Sequence, residues 1–272
     1  MSLINSKMPY KILYASDLHG NKDFYNKLIK KAKEPQIKAA VIGGDLCPRR
    51  AGTLEQAITH QKHFLKNFFI PELSKLKKDV FFIMGNDDFR VNETLLINNK
   101  NKNLKYISKK RFNFFSKNIV GYSFVNPTPF RLKDWEKYED EKKEAPEQVF
   151  GYEVTTVKRE EGTIKDDLSS FIKLSNPKKT VYVMHAPPFN TRLDIIASGA
   201  HVGSKSIRAF IEKEQPYLTL HGHIHESPKM SGSFIDRIGS TICINVGSSY
   251  PENKLNSIII DIGNSDFKYI EL

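Results

Sequence analysis

The amino-acid sequence predicts an α/β protein, and three observations carry that prediction. Short β-prone apolar runs recur at residues 11–16, 38–44, 79–84, 180–184 and 217–220. Between them lie amphipathic stripes with apolar residues at helical spacing. Each of these runs leads into acid, amide or imidazole side chains instead of ordinary turn residues.

The first run, KILYAS, leads into Asp17-Leu18-His19-Gly20. Alternate side chains of an extended chain share a face, so Asp17 and His19 are expected to point together off the strand end. Asn21 suits the cap of a helix whose Phe24, Leu28 and Ala32 form a buried stripe, stopped by Pro35. The second run, KAAVIGG, delivers Asp45. Residues 53–77 read as helical, with Pro71 kinking or dividing the segment and His60 and His63 on its solvated face. DVFFIM leads into Gly85-Asn86-Asp87-Asp88. A short helix is expected over 90–98, and two or three antiparallel strands over 104–124.

From 126 to 147 prolines bracket charges of both signs around Trp135, which reads as an exposed insertion or lid within one domain spanning 1–272. Thr163 suits the cap of a helix bearing Ile164, Leu168, Phe171 and Ile172. The run TVYVM ends in His185, and Pro187 and Pro188 then force a loop that carries Arg192, Asp194 and His201 to the same side. Ser204 caps a helix with Ile207, Phe210 and Ile211. The strand from Tyr217 feeds LTLHGHIHES, where His221, His223 and His225 alternate and Gly222 is expected to turn the backbone tightly. Four β runs, at 234–238, 241–246, 257–262 and 267–270, follow.

A chain of 272 residues can bury a full core. Its net charge of +11 favours phosphorylated or polyanionic partners, although solvated helix faces account for most of the lysine clusters. No basic run interleaves with aromatics as a single-strand groove requires, which sets nucleic acid behind small phosphorylated substrates. The two cysteines, Cys47 and Cys243, lack metal or disulfide spacing and suit a reducing compartment. With no apolar leader core and no run long enough for a membrane span, the expected location is cytoplasmic, with no membrane partner.

In open α/β sheets ligands gather beyond the carboxyl ends of strands, so these exits can meet although most of the chain separates them. Carboxylates and neutral imidazoles gathered in one place suit a divalent metal. DLH at 17–19, GD at 44–45, GND at 85–87, the lone His185 and GHIH at 222–225 together resemble the calcineurin-like metallophosphoesterase superfamily. HAPPFNTRLD with GAHVGS resembles its small prokaryotic members of uncertain substrate.

The resemblance implies a four-layer α-β-β-α sandwich of two mixed β-sheets flanked by helices. It implies two divalent metal ions, manganese, iron or zinc ahead of magnesium: Asp17, His19 and His225 around one, Asn86, His185 and His223 around the other, Asp45 bridging them. The implied activity is hydrolysis of phosphate esters by in-line attack of a metal-bridging hydroxide. His221 is expected to sit behind the ligands.

The chain departs from the family pattern at Asp87, where a histidine usually stands and is taken to protonate the leaving group or contact the phosphate. A carboxylate beside two cations is expected to be ionised and a poor acid. Either the leaving groups need little protonation, or His201 supplies the proton. An unassisted alkoxide leaves poorly, so phosphodiesters with good leaving groups are favoured over alkyl phosphomonoesters. Asn86, Asp87 and His201 are the candidate catalytic residues; Arg49 and Arg192, with Arg50, are candidate phosphate contacts. The expected partner is a small, nucleotide-like phosphorylated substrate. The alternatives are a nuclease of the same superfamily and a binding scaffold with weakened catalysis.

Overall fold

Alternation along the strands sorts the apolar residues into two cores. The computed structural model describes residues 10–146, 151–264 and 266–272. Its first half comprises β1 (Lys11–Ala15), α1 (Lys22–Ala32), β2 (Ile37–Ile42), α2 (Leu54–Phe64), α3 (Ile70–Ser74), β3 (Asp79–Phe82), α4 (Glu93–Ile97) and β4 (Leu104–Tyr106). The chain continues through β5 (Arg111–Phe114), β6 (Lys117–Tyr122), α5 (Ile164–Leu174), β7 (Thr180–Met184), α6 (Lys205–Glu214), β8 (Leu218–His221) and α7 (Ser227–Ser231). It closes with β9 (Ile235–Ile238), β10 (Thr241–Asn245), β11 (Asn256–Asp261) and β12 (Asp266–Glu271).

The first sheet runs β12-β11-β1-β2-β3-β4, with β1 to β4 parallel and β11 and β12 antiparallel. The second runs β5-β6-β7-β8-β10-β9, with only its edge strands antiparallel. Ile12, Tyr14, Val41 and Phe81 from one sheet pack with Val181, Val183, Leu220 and Ile244 from the other in a cluster that contains no helical residue. Residues of opposite parity, among them Leu13, Phe82, Tyr182 and Met184, pack with Phe24 of α1, Phe64 of α2, Phe171 of α5 and Phe210 of α6. Helix, sheet, sheet and helix therefore stack as four layers.

The helix caps follow the sequence. Asn21 accepts from the N–H groups of Asp23 and Phe24, Thr53 forms a capping box with Gln56, and Thr163 and Ser204 cap α5 and α6. Pro71 does not break its helix: the chain widens into a π-helical turn over Leu65–Phe69 and enters α3 with the proline in the first turn. No helix among the described residues is long and apolar enough to cross a membrane.

Two expectations are corrected. The run 104–124 does form three strands, but β4 lies parallel to β3, and only β5 and β6 make an antiparallel pair, in the other sheet. Alternation reports a half-buried strand without naming its partner. The segment from 126 is not exposed throughout: Lys133, Asp134, Trp135 and Lys137 are buried. The Trp135 indole donates to the Asp88 carbonyl at 2.9 Å, and Lys137 pairs with Asp167 at 2.8 Å. Charges that looked solvated find partners remote in sequence. The end of that segment, Glu147, lies outside the described residues.

Asp88 fastens the exits of β2 and β3 together. Fully buried, it accepts from the N–H groups of Leu46 at 3.0 Å, Cys47 at 2.8 Å and Gly85 at 2.9 Å. Asp88→Ala would strand these three buried donors, and a loss of about 3 kcal/mol or more in urea unfolding is expected. A loss under ~1 kcal/mol would mean that other groups hold the two loops.

Candidate metal centre

The strand exits converge through loops, not through extended chain. β1 stops at Ala15, and Asp17, His19, Asp45 and His223 all adopt left-handed backbone, with φ of 58°, 45°, 50° and 67°. The shared-face rule thus brought the right residues together for the wrong reason. Non-glycine residues in this region carry strain, which the surroundings must hold. Here a backbone ladder does so: Asp17 N–H donates to Gly44 O at 3.1 Å, His19 N–H to Asp45 O at 2.9 Å and Gly20 N–H to Leu46 O at 3.0 Å. In the other sheet, Gly222 N–H donates to His185 O at 3.0 Å.

Polar bonds then join the two sheets at this edge. The Tyr14 hydroxyl donates to His221 O at 2.6 Å, His185 Nδ1 to Gly43 O at 2.8 Å, and His223 N–H to the Asp17 carboxylate at 3.1 Å. Gly222 does not have a positive φ, and what requires a glycine there is close approach. A Cβ there would stand 2.1 Å from Ser16 Oγ and 2.4 Å from Asp17 Oδ2. Likewise, a Cβ on Gly85 would stand 2.3 Å from Asp45 Oδ1 and 2.6 Å from His185 Nε2.

Asp17, His19, Asp45 and His225 bring four ligand atoms within 4.8 Å of one another. His225 Nε2 lies 3.3 Å from Asp17 Oδ1 and 3.2 Å from His19 Nε2. Beside this group, Asn86 Oδ1 lies 3.0 Å from His185 Nε2 and 2.6 Å from His223 Nδ1. The donors fit a divalent cation: acceptor atoms crowd one another, the buried Nδ1 of His19 has no hydrogen-bond partner, and the Arg49 guanidinium reaches in to 3.3 Å from His19 Nε2. His221 is not available: Nδ1 donates to Ala186 O at 2.8 Å, and Nε2 accepts from the Thr219 hydroxyl at 2.8 Å.

The polypeptide's own charges divide the histidines. Burial works against ionising Asp17 and Asp45, but His225 holds the Asp17 carboxyl down at about 2, and His185 holds Asp45 still lower. Burial favours neutral His185 too, yet Asp45 overrides it and raises His185 to about 9. Burial lowers His19 to about 4, and burial with the charge of His185 lowers His223 to about 3. Confinement and the like charge of Asp45 push Asp87 up to about 7, with Arg49 opposing. The polypeptide alone therefore does not enforce the expected ionised Asp87. A cation bound beside it would reverse that balance.

Around this core, Asp87 Oδ2 faces His19 Nδ1 at 3.6 Å and Arg49 Nε at 3.9 Å. Arg49 also lies over the ring of Tyr250, which stands edge-on to His19 with centroids 6.3 Å apart. No sequence signal marked Tyr250. Arg49 and His225 line a cavity of about 660 Å³, and His223 and His201 line another of about 540 Å³. His201 Nδ1 lies 2.7 Å from Asp194 Oδ1. The buried Asp194 carboxylate also accepts from the N–H groups of Asn190, Thr191 and Gly203, so its oxygens are pure acceptors and His201 Nδ1 must donate. Arg192 is exposed and lines neither cavity; its N–H donates to Asp236, as its loop runs toward β9. Arg50 is also exposed.

A solved structure superposes on this chain with a TM-score of 0.67 at 16% identity, covering 97% of this chain and 99% of that one. TT1561 of Thermus thermophilus superposes with a TM-score of 0.62 at 14% identity, covering 96% and 98%. At such identities the likeness is one of fold. An uncharacterized protein of Methanocaldococcus jannaschii, MJ1162, is 34% identical over 151 residues, 53% of this chain and 56% of that protein. The chain thus spans just over half the length of the curated relative that it matches. The family model described as calcineurin-like phosphoesterase matches residues 10–227, a span that takes in every strand exit from Asp17 to His225. The exits that face one another across the two sheets are therefore those of a known phosphoesterase scaffold, and the chain belongs to the calcineurin-like phosphoesterase family.

Proposed function

We propose that the protein hydrolyses phosphodiesters at a centre of two divalent metal ions. The observation that carries this reading is the position of Asp45. Its Oδ2 faces His19 Nε2 at 3.8 Å, and its Oδ1 faces His185 Nε2 at 3.5 Å. One carboxylate thus addresses both ligand groups: Asp17, His19 and His225 on one side, Asn86, His185 and His223 on the other.

When bound, manganese, iron or zinc ions supply Lewis acidity toward the phosphate oxygens and an acidified water for in-line attack. The protein's residues do the rest. Arg49, exposed on the His225 side, supplies a guanidinium to a phosphate oxygen. Asp87 holds Arg49 and His19 instead of giving up a proton. His201, oriented by Asp194 through Nδ1, offers Nε2 as the proton donor to the departing oxygen.

Three outcomes are expected. Purified protein loaded with manganese should turn over bis(p-nitrophenyl) phosphate, and Asp45→Asn should lower kcat by roughly a thousandfold. Full metal loading without turnover would favour the binding scaffold.

His201→Ala should depend on the leaving group. Loss of a general acid costs about a hundredfold or more for an alkyl diester and under ~threefold for a p-nitrophenyl diester, whose leaving group needs no proton. Equal losses on both would remove His201 from this role.

At pH 7 His185 is charged in protein stripped of metal, since its group titrates near 9, and it must lose that proton to ligate a cation. Calorimetry in buffers of different ionisation enthalpy should count at least one proton released as the site fills, one from His185 and part of another from Asp87. The charged imidazole stabilises the stripped protein fully below ~pH 6.5. That contribution is lost as pH rises through about 9. A release of no protons at pH 7 would remove His185 from the ligand set.

A further inference from the structure

The cavity of about 540 Å³ beside His223 has the size of a small-molecule site. Its walls are apolar, from Phe130, Phe189, Ile196 and Ile224. Most of the polar groups that border it are already committed; Asn126 donates through Nδ2 to Val202 O at 3.1 Å, while its buried Oδ1 has no hydrogen-bond partner. Glu139 accepts from Ser204 Oγ and from the N–H groups of Lys205 and Ser206, Lys205 Nζ reaches Glu144, and Thr128 Oγ1 donates to Glu136. What remains for a ligand is a largely apolar surface, and the rim residue Phe130 is 48% exposed. Three groups interrupt it: the Oδ1 acceptor of Asn126, His223 from the ligand cluster, and His201, held by Asp194. The phosphorus end and the proton donor thus border one largely hydrophobic chamber.

We infer that this cavity receives the leaving arm of the substrate, and that the arm is an apolar ring-bearing alcohol. This rests on the proposed phosphodiesterase reading and specifies its substrate class. Water attacks phosphorus and releases one proton to solvent as the new bond forms, the bond from phosphorus to the oxygen of the cavity-held arm breaks, and that oxygen takes the proton from His201 Nε2, which solvent then replaces. The arm departs as a neutral alcohol and the other ester stays on the phosphomonoester product. The opposite arm faces the Arg49 and Tyr250 side, where the second cavity opens.

Benzyl methyl phosphate tests the orientation, because its two alcohols have nearly equal intrinsic leaving ability. Manganese-loaded protein should release benzyl alcohol and methyl phosphate; release of methanol and benzyl phosphate would overturn the inference. A second measurement does not depend on turnover. Calorimetric binding of methyl(2-naphthylmethyl)phosphinate and of dimethylphosphinate, which have no ester bond to break, should differ by about tenfold or more in favour of the naphthyl compound. Phe130→Ala should narrow that ratio severalfold. Equal affinities, with bis(p-nitrophenyl) phosphate still hydrolysed, would overturn this inference and leave the phosphodiesterase reading standing. Failure of both phosphinates and inorganic phosphate to bind the metal-loaded protein would overturn both.

Discussion

Two carboxylates, Asp17 and Asp45, are buried almost completely where the exits of the two sheets face each other. Burying one such charge is costly, and burying two as neighbours is worse unless positive charge answers them. Much of the architecture serves that need. Each sheet sends imidazoles toward the pair, His19 from one and His185, His223 and His225 from the other. Backbone donors complete it: His223 N–H on Asp17 and Asp87 N–H on Asp45, the latter at 2.9 Å. The sheets must be packed face to face with their exits aligned for this to work. The bonds from Tyr14 to His221 and from His185 to Gly43 keep that alignment.

The price of the arrangement is local backbone strain at four of the ligand positions. It is tolerable because each strained exit lies against a neighbour and not in open solvent. The exit of β1 hydrogen-bonds to the exit of β2, the Asp88 carboxylate fastens β2 to β3, and the Gly222 amide fastens β8 to β7. Gly85 and Gly222 then let backbone pass where any side chain would enter the carboxylates. Positioning is thus collective: no single element carries the centre, and the exits fix one another.

This division explains what the sequence could reveal. The layers were legible because strand alternation, helix stripes and the caps at Asn21, Thr163 and Ser204 are local signals. The convergence of Asp17, His19, Asp45, Asn86, His185, His223 and His225 was legible as an ordered set of strand exits. How the exits turn was not, because left-handed backbone at Asp17 or His223 depends on a partner loop remote in sequence. The same limit hid Asp88, which reads as one more acid in GNDD until three remote amides converge on it. It hid the burial of Trp135 and Lys137, whose partners lie in other segments, and it hid Tyr250, an ordinary aromatic until Arg49 and His19 come beside it.

Asp87 gives the departure from the family pattern an electrostatic meaning on the proposed reading. A carboxylate there joins Asp17 and Asp45, so a two-ion centre is one unit less positive than it would be with a neutral histidine at that position. A phosphomonoester arrives largely as a dianion and a phosphodiester as a monoanion. The reduced field costs the dianion about twice as much attraction, since Coulomb energy scales with the product of charges. The same substitution removes the usual acid from the ligand cluster, and the available imidazole, His201, stands instead in the wall of an apolar chamber. Charge selection and proton donation then point to one substrate type: a singly charged ester whose departing alcohol is apolar and needs a proton as it leaves.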